Sequence, residues 1–450
     1  MSEPSHSPYA VARASSRASL AARLILCCLL LAPCLASCRR ARQNAAPPAP
    51  SLTAEERLRL FDEIWHTIDE GFYDPSFNGV DWRAVGERYR PRIAAARDDF
   101  EFYGLCELLA AELRDSHTRF EPPPPPQPEP APGATPQAEQ GSARMLLGWV
   151  EGEVAVVEVE PDSAAARGGV RPGMIVRAVN GRPVGEIEAE LRRLVAGASS
   201  ENSLRNLIAG SILNGRVWGV PRVLRLADAE GREFDYEVRR QPVADSARLE
   251  ARRLASGFAY LKFDQWKPPV DQKFDDALDA LRAAPGLVVD LRRNGGGQTD
   301  VMLNITSNFF AEATYYGGFK TRAGGVDKYF THKPARVYEK PVVILVDERS
   351  ASASETSTLF MQEVGRARVV GAQSAGSTHN ARVVELPRGA KLHYSIRAYL
   401  TPKGRDPEGT GVLPDEPVPL TLSDLRAGRD AALEAAERAL SRLTTAGGKK

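Results

Sequence analysis

Five consecutive apolar residues, Val342–Val346, predict a buried strand, and the small polar run 347–355 predicts a tight turn into a helix reaching about Val364. A second apolar stretch, 287–291, runs into Arg292-Arg293-Asn294-Gly295-Gly296-Gly297. A helix follows it, capped by Thr299 or Asp300, with Val301, Met302, Ile305, Phe309 and Phe310 as its apolar positions. Residues 258–263 read as a further strand and 271–283 as a helix, so strand and helix alternate over 250–445 as in an α/β core. Residues 424–443 are rich in Ala and Glu at helical spacing and predict a helix packed on that sheet, fraying from Thr444.

Upstream the periodicity changes. Thr53-Ala54-Glu55-Glu56 is a capping box, and Phe61, Ile64, Trp65 and Ile68 then recur on one helical face. Helical patterns over 82–96 and 100–113 complete a small helical domain, 53–120, which closes with Asp115-Ser116-His117-Thr118. Residues 121–143 are proline-rich and predict an extended linker with no core of its own. Beyond it, 144–240 holds short strands at 154–159 and Ile175–Val179, with Asn180-Gly181 supplying hairpin-turn chemistry.

The first fifty residues read as targeting and tether. Arg13, Arg17 and Arg23 precede a short apolar run, 24–32, that ends in Leu35-Ala36-Ser37-Cys38. This resembles a bacterial lipobox, which implies cleavage after residue 37, a lipid on Cys38 and a tether over 38–52. An ordinary secretory signal or a short helical anchor is the other reading. Arg39 is not the aspartate linked to inner-membrane retention, so the expected location is the periplasmic face of the cell envelope, with the outer membrane favoured. Of five cysteines only Cys106 lies in the folded body, so no internal disulfide is expected there.

At 450 residues and 43% hydrophobic content the chain supports several domains, and a net charge of +1 with no basic run gives no reason to expect nucleic acid as partner. The glycine run lacks the Lys-Ser/Thr ending of a P-loop and the dinucleotide spacing, so no cofactor and no metal are expected. Its other use is close approach of backbone N–H groups to a reacting carbonyl. Ser350-Ala351-Ser352-Ala353-Ser354 could be no more than a polar helix cap. A serine lifted to the carboxyl end of a sheet, beside helix N-terminal N–H groups, is also the layout of a nucleophile. Among six histidines, His117 sits at a helix exit from which its ring can project into a neighbouring cleft. His66 reads as surface or packing, and His332 and His393 carry no accompanying motif.

Block 144–240 resembles a PDZ domain through the apolar-Gly-apolar loop Leu147-Gly148-Trp149, the stretch 163–173 and Val179-Asn180-Gly181. Such domains hold an extended peptide on a sheet edge, its terminal carboxylate on loop N–H groups. Asp290-Leu291-Arg292-Arg293-Asn294-Gly295-Gly296-Gly297, Ser350–Glu355 and Gly411-Val412-Leu413-Pro414-Asp415 resemble the C-terminal processing (tail-specific) peptidase family. The resemblance implies a multidomain α+β protein: an N-terminal helical domain, a PDZ-like β-sandwich and an α/β peptidase core of crotonase-like type. It implies Ser352 as nucleophile, with Ala353 and Gly297 N–H groups as oxyanion donors. Where dyad members carry a lysine, this chain has Ser377. It resembles instead the tricorn-core branch, with His117 as base, Glu408 in Glu-x-x-Gly-Val as its carboxylate, and Ser116 orienting that glutamate. His379 is a rival base, and Asp406 and Asp415 are rival carboxylates.

The expectation is a lipid-anchored serine endopeptidase acting on unstructured protein tails or peptides, with Leu147, Gly148 and Trp149 helping to bind substrate. The alternative is an inactive binding scaffold that keeps the fold. A linker at 121–143 that lets the PDZ block swing over the cleft would gate the enzyme. The sequence leaves the oligomeric state open, a homo-oligomer included.

Overall fold

The computed structural model describes residues 51–123, 141–194, 197–215, 221–241 and 247–447. The signal segment, Cys38, all but the last two residues of the tether and most of the proline-rich stretch lie outside these residues. The central sheet runs in the order Glu416–Pro417, Arg368–Gly371, Val342–Val346, Leu287–Asp290, Ala259–Phe263 and Leu249–Arg253. All neighbours are parallel except the last pair. Every residue of Val342–Val346 and Leu287–Asp290 is buried, as a parallel strand covered on both faces requires. Alternate side chains divide between two cores. Val342, Ile344 and Val346 join Phe274, Met302 and Phe360 on one face, while Val343 and Leu345 pack under Ala435, Ala439 and Leu440 of the helix Ala431–Gly447. That helix runs beyond Thr444, where fraying was expected; the Thr444 and Thr445 hydroxyls return to carbonyls one turn back. Because Asp290 pairs with Leu345, the glycine run and the serine run leave the same sheet edge side by side.

The helices Ala54–Gly71, Trp82–Ala94 and Asp99–Ala111 lie close to their expected positions, and the Thr53/Glu56 capping box is formed. Their core does not close on itself. Phe61, Ile64, Phe102 and Leu109 share it with Leu386, Leu392 and Tyr394 of a hairpin, Asn380–Glu385 with Lys391–Leu400, that the sequence reading did not foresee. The short strand Arg119–Glu121 adds antiparallel to that hairpin, placing Phe120 opposite Leu392. The segment read as linker from residue 121 therefore begins in a sheet. Lys391–Leu400 continues into Tyr315–Thr321 and Val326–Phe330, giving a second, five-stranded sheet.

The third sheet comprises Met145–Val150, Glu153–Val159, Ile175–Val179, Val223–Ala227 and Glu233–Glu237, with Arg182–Pro183 beside the third. Asn180 and Gly181, at φ 48° and 80°, form the expected two-residue turn that pairs Val179 with Arg182. Leu147-Gly148-Trp149, read from sequence as a loop, lies within the edge strand, where Gly148 pairs with Ala155. The edge strand packs beside the helix Glu201–Asn214.

Candidate active site

The turn after Val346 is held by its own polar groups. The Ser350 hydroxyl donates to Leu291 O (2.8 Å) and accepts from Asp347 N–H (3.0 Å). The Ser354 hydroxyl donates to Asn294 O (2.9 Å) and accepts from the Trp266 indole (2.8 Å). Both serines are fully buried, whereas Ser352 between them is half-buried, immediately before the helix Ala353–Glu363. Ser352 sits at φ 54°, ψ −118°, outside the ordinary regions for a residue with a Cβ, at a cost of about 1–3 kcal/mol. Its neighbours enforce that shape. Ser352 N–H donates to Ser377 O (2.8 Å) and to the Glu355 carboxylate (3.0 Å), and its carbonyl accepts from Glu355 and Thr356 N–H (2.9 Å each).

Glu355 binds more than the turn. Its carboxyl also accepts from the Ser374 hydroxyl (2.5 Å), Gly376 N–H (2.6 Å) and Ser377 N–H (2.9 Å), the stretch in which a dyad lysine would stand. Complete burial raises its pKa to about 7 despite those bonds.

The glycine run closes over the same point. Asn294 spans it, giving its side-chain N–H to Phe263 O and accepting Gly296 N–H (3.0 Å), while Ala351 N–H bonds its carbonyl. A Cβ at Gly296 would meet Ser352 Cβ at 2.6 Å and Ala353 N at 3.0 Å, so only glycine fits there. Gly296 N–H is thus spent on Asn294, and among the described residues Gly297 N–H and Ala353 N–H have no acceptor. Ala353 is the first residue of its helix, where no intrahelical acceptor exists. These two free donors beside a serine hydroxyl suit an oxyanion.

His117 stands near Glu408, Asp115 and His379, on a turn contributed by the helical segment. Between the helix Asp99–Ala111 and the strand Arg119–Glu121 the chain turns around buried Asp115. Asp115 Oδ1 accepts His117 N–H (3.0 Å), the Thr118 hydroxyl (3.0 Å) and the Ser395 hydroxyl (2.7 Å), and its Oδ2 meets His379 Nδ1 at 2.6 Å. His117 Nδ1 is buried without a partner, and neither ring nitrogen is hydrogen-bonded to Ser352 or Glu408. Burial lowers its pKa, opposed by Glu408 and Asp115 and reinforced by His379. The ring is thus neutral near pH 7, the form that accepts a proton.

Glu408 is anchored through backbone. Oε2 accepts Thr378 N–H (2.6 Å), the Thr378 hydroxyl (3.1 Å) and His379 N–H (3.2 Å), and Oε1 accepts the Ser199 hydroxyl. Ser116, expected to orient Glu408, has no direct hydrogen bond to it among the described residues. Its N–H donates to Ser199 Oγ (2.8 Å) and its hydroxyl accepts Ser199 N–H (2.8 Å), so Ser199 carries the link. Sequence reasoning missed Ser199, since a serine before Ser200 and a helix at Glu201 looks only like a cap. It missed Asp115 too, although Asp-Ser-His-Thr is the signature of a turn closed by an aspartate side chain.

The rivals have other duties. His379 is 2% exposed and lies against the Tyr73 ring at 4.4 Å. Burial opposes its charge, but Glu408 and the Asp115 bond outweigh burial and hold its pKa at about 10. Its Nδ1 is already held by Asp115 at 2.6 Å. Asp406 accepts Glu408 N–H (3.0 Å), and Asp415 accepts Val369 N–H (2.7 Å) and a Gln362 side-chain N–H (3.1 Å).

The PDZ sheet meets the back of this turn. The Arg349 guanidinium donates to Leu147 O, Arg293 pairs with Glu158, and Asn206 donates to Glu348 O (2.7 Å). A cavity of about 390 Å³ opens here, lined by Gly148, Trp149, Glu158, Arg293 and Arg349. Trp149 and Gly148 thus line a cavity between the PDZ sheet and the core, and Ser352 is not among its lining residues.

Residues 257–418 match the model of peptidase family S41, 53–111 the tricorn protease C1 domain and 156–205 a PDZ domain. A carboxyl-terminal-processing protease of Synechocystis sp. is 25% identical over 376 residues, 83% of either chain. A chloroplastic C-terminal processing peptidase of Tetradesmus obliquus is 26% identical over 386 residues, 82% of this chain and 79% of that one. The solved photosystem II D1 C-terminal processing protease shares the fold, with a TM-score of 0.57 at 23% identity over 86% of this chain and 98% of that one. A tricorn C1 segment, a PDZ segment and a peptidase S41 segment, following one another along the chain on this fold, identify a C-terminal processing serine peptidase with a PDZ domain.

Proposed function

We propose that the protein is a cell-envelope endopeptidase that cleaves unstructured protein tails through an acyl-enzyme, with Ser352 as nucleophile, His117 as base and Glu408 as the carboxylate behind it. The observation that carries this reading is the half-buried Ser352 on its strained turn, flanked by the unbonded N–H groups of Ala353 and Gly297. Serine needs a base to attack, and a neutral imidazole takes the hydroxyl proton and returns it to the leaving amine. The tetrahedral oxyanion then rests on Ala353 and Gly297 N–H. His117 is not yet bonded to its partners, so its catalytic hydrogen bonds form as substrate closes the site. Glu408 stands behind the ring to stabilise the imidazolium.

The edge strand Met145–Val150, with Leu147, Gly148 and Trp149 along it, leaves one side unpaired by any strand, so an extended peptide there would displace the Arg349 guanidinium from Leu147 O. That supports a role for the PDZ sheet in holding substrate. The lipobox at Cys38 supports anchoring on the periplasmic face of the envelope, the outer membrane favoured.

A serine-directed fluorophosphonate probe tests the assignment on purified protein. Labelling lost in Ser352→Ala and strongly slowed in His117→Ala, with hydrolysis of an unfolded protein lost in parallel, is the expected result. Unchanged hydrolysis by Ser352→Ala would sink it, and a folded wild type that neither labels nor cleaves would leave a binding scaffold.

A further inference from the structure

The triad leaves one buried ion pair without a task. Asp115 and His379, 1% and 2% exposed, meet at 2.6 Å across 264 residues of sequence. The other oxygen of Asp115 shapes the turn that carries His117, through His117 N–H, the Thr118 hydroxyl and the Ser395 hydroxyl. From the opposite side, Thr378 and His379 give their backbone N–H groups to Glu408. One imidazole therefore joins the turn of the candidate base to the loop that holds its carboxylate.

The charges around the ring favour a proton on it. Nε2, buried and unpartnered, lies 4.0 Å from Asp406 Oδ1 and 3.9 Å from Glu408 Oε2, while Nδ1 faces Asp115. Those carboxylates come from two separate segments; the Tyr73 ring covers one face, His117 lies within electrostatic reach, and Lys320 acts on Asp406 from the second sheet. A metal ion is the other occupant suggested by Asp115, His379 and Glu408, whose ligand atoms lie within 4.8 Å of one another. It fits poorly, because Nδ1 is taken by Asp115 and Glu408 Oε2 already accepts three donors.

We propose that protonated His379, paired with Asp115, is a positioning residue that staples the His117 turn to the Glu408 loop and sets the working pH of the base. The proposal rests on the triad reading above. His379 does not touch substrate; it acts through His117 and Glu408. Its positive charge also lowers the proton affinity of His117, which keeps that base free at lower pH.

The test is the pH profile of hydrolysis of a reduced, alkylated protein by full-length wild type, His379→Gln and His379→Lys. In His379→Gln, kcat falls about 100-fold with KM nearly unchanged, as expected for a misplaced catalytic group, and the acid limb of kcat/KM moves to higher pH. His379→Lys restores a cation, returns the acid limb toward its wild-type position and recovers part of kcat. A His379→Gln protein with wild-type kcat and acid limb would overturn the proposal. Nitrogen-15 NMR of the wild-type imidazoles provides a reading that survives misfolding of the variants: both His379 ring nitrogens carry protons at pH 8, and a neutral ring there also overturns it. Should Ser352→Ala hydrolyse as fast as wild type, the triad itself falls and the staple's catalytic role with it. Ser352-dependent activity with a silent His379→Gln removes the staple alone.

Discussion

The two halves of the site are built differently. Ser352 and its oxyanion donors are fixed by stretches 290–297, 350–355 and 374–377, which issue from adjacent parallel strands of one sheet. His117 and Glu408 depend on pieces with no shared strand order: the 115–118 turn, Ser199 in the PDZ block, and the 378–379 loop. The geometry of the candidate nucleophile is thus a property of the sheet, and that of the candidate base a property of the whole assembled chain. Damage to the first is local and severe, while damage to the second is graded.

That contrast can be broken at several strengths. Ser352→Ala is expected to reduce kcat on the order of 10⁶-fold, read from initial rates on an unfolded protein. Gly296→Ala brings a Cβ to 2.6 Å from Ser352 Cβ, and kcat is expected to fall about 10²–10³-fold with slowed fluorophosphonate labelling. Wild-type labelling rates in that variant would show the oxyanion side to be more tolerant than the packing implies.

Glu355 tests the nucleophile half through stability. The unfolded chain releases its proton near pH 4.5 and the folded protein only near 7, so the folded state holds more protons between those values. This group's contribution therefore falls as pH rises from 4.5 through 7, by about 3 kcal/mol at most. The stability of wild type relative to Glu355→Gln, from urea unfolding at pH 5 and pH 8, should decline across that range; a pH-independent difference contradicts it. The mildest change is Ser199→Ala, which removes one hydrogen bond from Glu408 and the acceptor of Ser116 N–H. It should cost about 1–3 kcal/mol and lower kcat about five- to tenfold, read from unfolding and from initial rates.

Legibility in the sequence follows the same division. Apolar runs ending in small polar residues gave away the strands at 287 and 342, and the serine and glycine runs gave away the turn between them. Ser350 and Ser354 are separated from Ser352 only by burial, which no local pattern reports. The hairpin Asn380–Glu385 with Lys391–Leu400 stayed hidden because polar residues such as Arg382, His393 and Ser395 interrupt any clean alternation. Ser199 lies 209 residues from Glu408 and Asp115 lies 264 from His379, so neither contact has a local signature. Ser116 is linked to Glu408 only through Ser199 for that reason: the residue adjacent to the candidate base was readable, and the intermediary was not.

The strand Arg119–Glu121 inserts the helical segment into a sheet formed by residues from the far end of the chain. A nascent or partly unfolded molecule would hold its alcohol and its imidazole on separate pieces that have not yet met. Proteolytic competence then arrives late, with completion of the tertiary structure. Under the proposed triad, the topology itself guards a chain still being made against self-digestion.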